Sequence, residues 1–404
     1  MRLNARTLGQ IDSPIGTTYA LLGQRAGHRP LLDLAQAAPA YPPAPEVADH
    51  VAAVAGRPDG AGYVEIAGLP KLRERFAAEL SQAYRGNVGP ANVLITAGCN
   101  QAFCVTASAL AAPGDEVILP LPYYFNHDMW LRLDGVRPVY IEPGPDLVPS
   151  VEAAGSAITS ATRAIVLVTP ANPSGVTTGP ATIAAFAALA ADRGIALILD
   201  ETYRSFRGCD EPAHALFADP AWADTVVSLH SFSKDLAIPG YRVGAAVGSP
   251  ALIREISKLL DCVAICAPRI GQEAAWAGLC SAGDWRRARA AEVAAKQRTF
   301  EAVMAARPGG FELLACGAYF GWVRHPFAGC ATQDVVRDLV LDHDVLVIPG
   351  TAFLPDDRQM LRVSFANLEP GAIAEFGERL AGASGGGSAG RTARHASRPI
   401  PHRR

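Results

Sequence analysis

The sequence predicts an α/β fold: a mostly parallel β-sheet with helices on both faces, joined to a smaller α+β unit. Two observations carry this. Short runs rich in Val, Ile and Leu alternate with helical stretches through the middle of the chain. Such apolar runs between helices indicate parallel strands buried on both faces. After about residue 285 the texture changes to a long charged helical pattern with apolar stripes of its own.

In chain order, "NVLITAG" (92–98) reads as a strand and "CNQAFCVTASALAAPG" (99–114) as a helix closed by Pro-Gly. "DEVILPLP" (115–122) is a strand, and "RAIVLVTPANP" (163–173) is a strand running into a turn. "TIAAFAALAADRG" (182–194) is a helix ending on Gly; "IALILDETY" (195–203), "TVVSLHSFS" (225–233) and "GAAVGS" (244–249) are further strands. Residues 284–306 form an amphipathic helix, leading to "FELLACGAYFGWVR" (311–324), the helix 331–344, "VLVIPGTAF" (345–353) and "QMLRVSFA" (359–366). The expected organisation is an N-terminal arm contributing to the small domain (1–44), a large domain (45–285), a small C-terminal domain (286–383) and a disordered basic tail (384–404). In α/β sheets, ligands sit beyond the C-terminal ends of the strands.

Composition excludes several classes. Of 404 residues, 50% are hydrophobic and 19% charged, which suits a globular enzyme-sized chain. The net charge of −3 conceals five tail arginines; without them 31 basic residues face 39 acidic ones. A body of that sign fits neither nucleic acid nor an anionic membrane. The segment before the large domain is too short for a helix-turn-helix module, so a DNA-binding regulator is not expected. The eight cysteines make no CxxC pair, so no metal site is expected and a reducing compartment is. No signal-like or membrane-spanning run occurs, and a cytoplasmic location is expected.

The strand ends carry the chemistry. After Thr96 comes "AGCNQA": Gly98 permits a tight turn, and the amides of Cys99, Asn100 and Gln101 open a helix, an anion-binding arrangement that ordinary N-capping also produces. "PLPYYFNH" places Tyr123, Tyr124 and Phe125 where an aromatic can stack on a planar ligand or pack in a core. "TPANPSG" holds Asn172 before Pro173. "LILDETY" buries Asp200, which requires a cationic partner, three residues before Tyr203. "SLHSFSKDLAIPGYRVG" (228–244) sets Lys234 among Ser231 and Ser233, with Arg242 eight residues on. A desolvated lysine near other cations is a nucleophilic amine, and Arg242 with the serine hydroxyls forms a phosphate clamp. Together these ends describe a site for a flat, phosphorylated heterocycle with a cationic nitrogen and an aldehyde, which pyridoxal 5′-phosphate fits.

On "SFSK" with "GYRVG", and on "NPSG" and "DETY" at their spacings, the chain resembles the fold-type I pyridoxal-phosphate aminotransferases of class I/II, of the aspartate/aromatic type, from about residue 12 to 380. The resemblance implies that Lys234 carries the cofactor as a Schiff base and shuttles the proton. It implies that Asp200 pairs with the ring nitrogen, that Tyr203 and Asn172 bond the ring's phenolic oxygen, and that Tyr124 stacks on the ring. Gly98, Cys99, Asn100, Ser231, Ser233 and Arg242 would hold the phosphate. Tyr63, in "GYVEIAGLPKLRE", resembles the tyrosine that reaches the phosphate of a partner subunit, implying a homodimer with shared sites. Arg362, in "LRVSFA", resembles the arginine gripping the substrate α-carboxylate. The implied activity is ping-pong transfer of an amino group from an L-amino acid to a 2-oxo acid. The same scaffold also hosts β-eliminating lyases, cyclopropane-forming synthases and oxidases.

Two residues depart from the family pattern. Ala37, in "QAAP", stands at a substrate-loop position that is usually glycine, and Cys99 stands where Ser, Gly or Ala is commoner. Arg269, in "ICAPRIGQ", falls in a segment near the subunit interface of the family. There it either contacts an acidic group of substrate or cofactor, or forms an interface ion pair. Tyr123, Tyr124, Phe125, Tyr319 and Phe320 point to aromatic or large apolar donors.

Overall fold

The computed structural model describes residues 1–25, 27, 29–209 and 211–383. The expected basic tail at 384–404 falls outside them. The main sheet has seven strands in the spatial order 93–96, 244–247, 226–231, 196–200, 162–168, 116–120 and 137–141. All neighbours run parallel except Gly244–Val247, which is antiparallel to both of its partners.

The continuous apolar runs are explained by burial on both faces. Ile165, Leu167, Leu197 and Leu199 enter one core, while Ala164, Val166, Ile198 and Leu229 enter another. The period of two sorts each strand's side chains between the cores. It also decides the chemistry at the strand end: Asp200 and Glu201 project to opposite faces. Glu201 accepts bonds from Tyr84 and from Ser228 Oγ (2.5 Å) deep in the protein, whereas Asp200 faces the cavity described below.

Arg137–Ile141, which lacks a strong strand pattern, is an edge strand that pairs, among the described residues, with Glu116–Pro120 alone. Pro138 and half-buried residues weaken its signature, and such a strand tolerates proline because one side is unpaired. The second sheet is antiparallel, in the order 348–349, 360–363, 320–324 and 312–317. The N-terminal Leu32–Asp33 pairs in parallel with Val345–Leu346, which brings the 34–37 segment to this sheet. At Gly175 (φ +77°) a Cβ would lie 2.4 Å from the Gly317 amide, so the Asn172–Gly175 turn sits backbone-to-backbone on the hairpin of the second sheet. That close approach requires glycine.

Buried charges join the helix Pro70–Tyr84 to the helix Gly283–Ala305. Glu79 accepts from Arg286 through both oxygens (2.9 Å each) and from Arg204 (2.5 Å). Burial alone would raise the Glu79 carboxyl, but Arg204 and Arg286 outweigh it and bring the carboxyl down to about 2 from an ordinary 4.5. A depressed carboxyl contributes stability above its unfolded value, and that stability is lost as pH falls through the folded value. Glu79→Gln is therefore expected to cost about 3 kcal/mol at pH 7, with the gap to the parent closing between roughly pH 4.5 and 2. Denaturant unfolding across that range checks this; a pH-independent gap contradicts it.

Candidate active site

A cavity of about 440 Å³ opens at the C-terminal ends of the parallel strands, where the two sheets face each other. It is lined by Ala37, Cys99, Asn100, Tyr124, Asn172, Asp200, Tyr203, Ser231, Ser233, Lys234, Arg242 and Arg362. Of the residues singled out in the sequence, Gly98 adjoins this group and Tyr63 stands apart, 78% exposed.

At one end, the helix Cys99–Leu110 begins. Its first intrahelical bond runs from the Ala102 amide to the Gly98 carbonyl, so the amides of residues 99–101 precede the ladder. Gly98 has φ +89°, and a Cβ there would fall 2.4 Å from the Arg242 guanidinium. Arg242 itself donates to the Pro239 carbonyl (2.8 Å), and Ser231 Oγ accepts from the Ser233 amide (3.2 Å). Free amides, two hydroxyls and a guanidinium make this end an anion cradle.

Asp200 forms the floor, 4% exposed. Its carboxylate lies 3.3 Å from His127 Nε2, accepts from the Thr202 amide (3.0 Å) and from the Cys99 thiol (3.6 Å). Burial pushes this carboxyl up, yet His127 and Thr202 prevail and hold it below the usual range. The Cys99 side chain is thus turned onto Asp200 and only its amide belongs to the helix end. Burial raises that thiol well above its ordinary value, so it stays protonated.

His127 was missed in the sequence. It lies one helical turn beyond Tyr124, stacked on Phe103 at 3.9 Å and edge-on to Tyr124 at 5.0 Å. The i, i+3 spacing in "YFNH" is the signal that could have found it. Thr202, Ser13, Ile15 and Gln36 also line the cavity without local motifs.

Across the cavity, Lys234 Nζ donates to the Ala37 carbonyl. Burial, then Arg242 and Arg362, bring this amine down to about 8 from an ordinary 10.5. Tyr203 is buried against Tyr319 and Phe320, at 5.5 and 5.1 Å between ring centres. Arg362, 2% exposed, donates to Asn172 Oδ1 (3.0 Å) and to the Ala35 carbonyl, beneath Phe320 and Phe353. Its Nε is buried with no partner among the described residues. Arg269 lies outside the cavity, paired with Asp59 of its own chain at 2.8 Å. Among the described residues no cluster of potential metal ligands occurs, and no helix is long and apolar enough to cross a membrane.

Residues 29–380 match the family model described as aminotransferase class I and II, and the chain belongs to that family. It is 29% identical to the aromatic aminotransferase ISS1 of Arabidopsis thaliana over 377 residues, covering 91% of this chain and 92% of that protein. It is 25% identical to the aspartate aminotransferase of Sulfolobus acidocaldarius over 332 residues, covering 79% and 81%. Among solved structures, a Thermus thermophilus aspartate aminotransferase mutant superposes with a TM-score of 0.85 at 24% identity, over 94% of this chain and 99% of that one, which shows the shared fold. The chain is an aminotransferase with the fold-type I architecture, and the family uses pyridoxal phosphate.

The lowered Lys234 amine makes a direct prediction for the cofactor-free protein. A group depressed to about 8 is half neutral there, whereas surface lysines stay protonated until about 10.5. Reductive methylation followed by peptide mass mapping is expected to show Lys234 reactivity rising through pH 8. A rise near 10.5 contradicts the assigned environment.

Proposed function

We propose that this chain binds pyridoxal 5′-phosphate in the cavity and transfers an amino group from an L-amino acid with an uncharged side chain to a 2-oxo acid. The observation that carries the reading is one cavity holding an ionised buried carboxylate, Asp200, opposite an amine of lowered proton affinity, Lys234, with an anion cradle at its end. The residues fit the group. A Cβ at Gly98 would intrude on Arg242 in the cradle, and Arg362 Nε, with no partner among the described residues, is left for an outside acceptor.

Gly98, Asn100, Ser231, Ser233 and Arg242, with the Cys99 amide, would hold the phosphate. Asp200 would pair with the ring nitrogen, Tyr203 and Asn172 would bond the ring oxygen, and Tyr124 would cover the ring. When bound, the cofactor supplies an electron sink that acidifies the donor's Cα–H. Lys234 would anchor it, and an amine brought down to about 8 would be suited to take the proton from the donor's Cα and give it back. Asp200, fixed by His127 and Thr202, stays ionised and so favours a protonated ring nitrogen. Arg362 fixes the α-carboxylate.

The remaining cavity cations, Lys234 and Arg242, already have partners in this scheme. The outer lining of Ser13, Ile15, Gln36, Phe125 and Asn126 is neutral, with Ala37 backed by the second sheet. The Tyr124 and Phe125 rings in the lining support aromatic or large apolar donors, in line with the name of the Arabidopsis relative. Exposed Tyr63, Ile66, Val263 and Ile265 support a homodimer in which Tyr63 reaches the partner's phosphate. Elimination on the same scaffold has no observation in its favour.

Screening amino donors by loss of the bound cofactor's visible absorbance is expected to give stable pyridoxamine phosphate with aromatic and large apolar amino acids. Release of pyruvate and ammonia with regeneration of the starting spectrum contradicts the reading. Lys234→Ala is expected to abolish multiple turnover, and retained turnover refutes its role. Arg362→Met is expected to lower kcat/KM by about 10- to 100-fold, since charge-assisted bonds worth about 1.5–3 kcal/mol are lost; unchanged kcat/KM removes Arg362 from the carboxylate site.

A further inference from the structure

Four charged side chains do not line the cavity, yet two of them are the immediate sequence neighbours of residues that do. Arg204 follows Tyr203 and Asp235 follows Lys234. Arg204 bonds Glu79 at 2.5 Å, Glu79 bonds Arg286 through both oxygens at 2.9 Å, and Arg286 bonds Asp235 at 2.5 Å. Their side chains are 9–16% exposed, and two positive charges meet two negative ones. None of the four lines the cavity.

A balanced buried quartet is a costly way to gain stability, because desolvation consumes much of the attraction and apolar residues pack as well. Its distinguishing property is geometric: carboxylate–guanidinium pairs fix direction as well as distance. Here the direction is transmitted to the backbone steps beside Tyr203 and Lys234. The loop closes through a second route. Trp285, next to Arg286, packs on Tyr41 (5.6 Å), the Tyr41 hydroxyl meets that of Tyr319 (3.4 Å), and Tyr319 packs on Tyr203 (5.5 Å). The helix carrying Arg286 runs on into the sheet that carries Arg362.

We propose that Glu79 is a positioning residue for proton transfer: through Arg286 and Asp235 it fixes the turn bearing Lys234, through Arg204 the turn bearing Tyr203, and so holds base and ring-oxygen donor in register. The inference rests on the roles proposed above for Lys234 and Tyr203. Glu79 does not line the cavity, so its loss is expected to change the chemical step and to leave substrate affinity in place.

The test uses the holoenzyme. Glu79→Gln removes the centre of the network. The double variant Glu79→Leu/Arg204→Met removes one charge of each sign and keeps the Arg286–Asp235 pair, so it carries the test if the single variant does not fold. With cofactor saturating, both are expected to lower kcat by about 10- to 100-fold, the scale of a small misplacement of reacting groups. KM for the donor is expected to stay within about two-fold. The kinetic isotope effect on kcat with Cα-deuterated donor is expected to rise towards its full value. A lowered thermal midpoint with kcat and isotope effect unchanged overturns the proposal, as does loss of cofactor binding in place of turnover. A parent enzyme whose bound cofactor shows no donor-dependent absorbance change overturns the functional reading itself, and the proposal with it.

Discussion

The structure is organised around a carboxylate that would be untenable alone. Asp200 ends a central strand, flanked in register by Val168 and Leu229, with apolar cores above and below the sheet. Ionisation at such a place requires donors, and His127, the Thr202 amide and the Cys99 thiol supply them. The cavity floor therefore presents a carboxylate kept below its usual range by the donors around it, which suits it to a cationic ring nitrogen. The neighbouring Glu201, one residue on, points to the opposite face and is satisfied by Tyr84 and Ser228. Strand periodicity separates the two acids into one available group and one structural group.

The rest of the site consists of other cations and donors set at fixed offsets from this anion. Lys234 follows a strand of the first sheet and Arg362 lies on the second, and the Asn172–Gly175 turn contacts the second sheet backbone-to-backbone at Gly317. Burial costs each some proton affinity: it brings Arg362 down to about 10 and, with Arg242 and Arg362 nearby, Lys234 to about 8. For an arginine that shift is inconsequential at neutral pH. For a lysine it brings the amine into the range where it can take up and give back a proton.

Much of this was legible because the chemistry sits where sequence signals are strongest. Asp200 closes an uninterrupted apolar strand, and Lys234 lies in a Ser- and Gly-bounded turn, so each stands out against its surroundings. Gly98 and Gly175 mark places where a Cβ has no room. Less legible were the residues delivered by tertiary pairing. Ser13, Ile15 and Gln36 reach the cavity from an arm placed by the two-residue pairing of Leu32–Asp33 with Val345–Leu346, too short to leave a pattern. His127 was hidden on a helix whose start overlaps an aromatic run. Cys99 was expected at the phosphate; its amide lies at the helix start, while its thiol turns to Asp200. Arg269, left open between a ligand contact and an interface pair, is held by Asp59 within its own chain.

The central claim is that Lys234 is the covalent anchor of pyridoxal phosphate in this cavity. It is tested most directly by reducing the cofactor-loaded enzyme with sodium borohydride, digesting it and mapping the adduct by mass spectrometry. The account predicts one stoichiometric phosphopyridoxyl modification, on the peptide containing Lys234. An adduct on another lysine, or none in a protein that retains the cofactor, would contradict it.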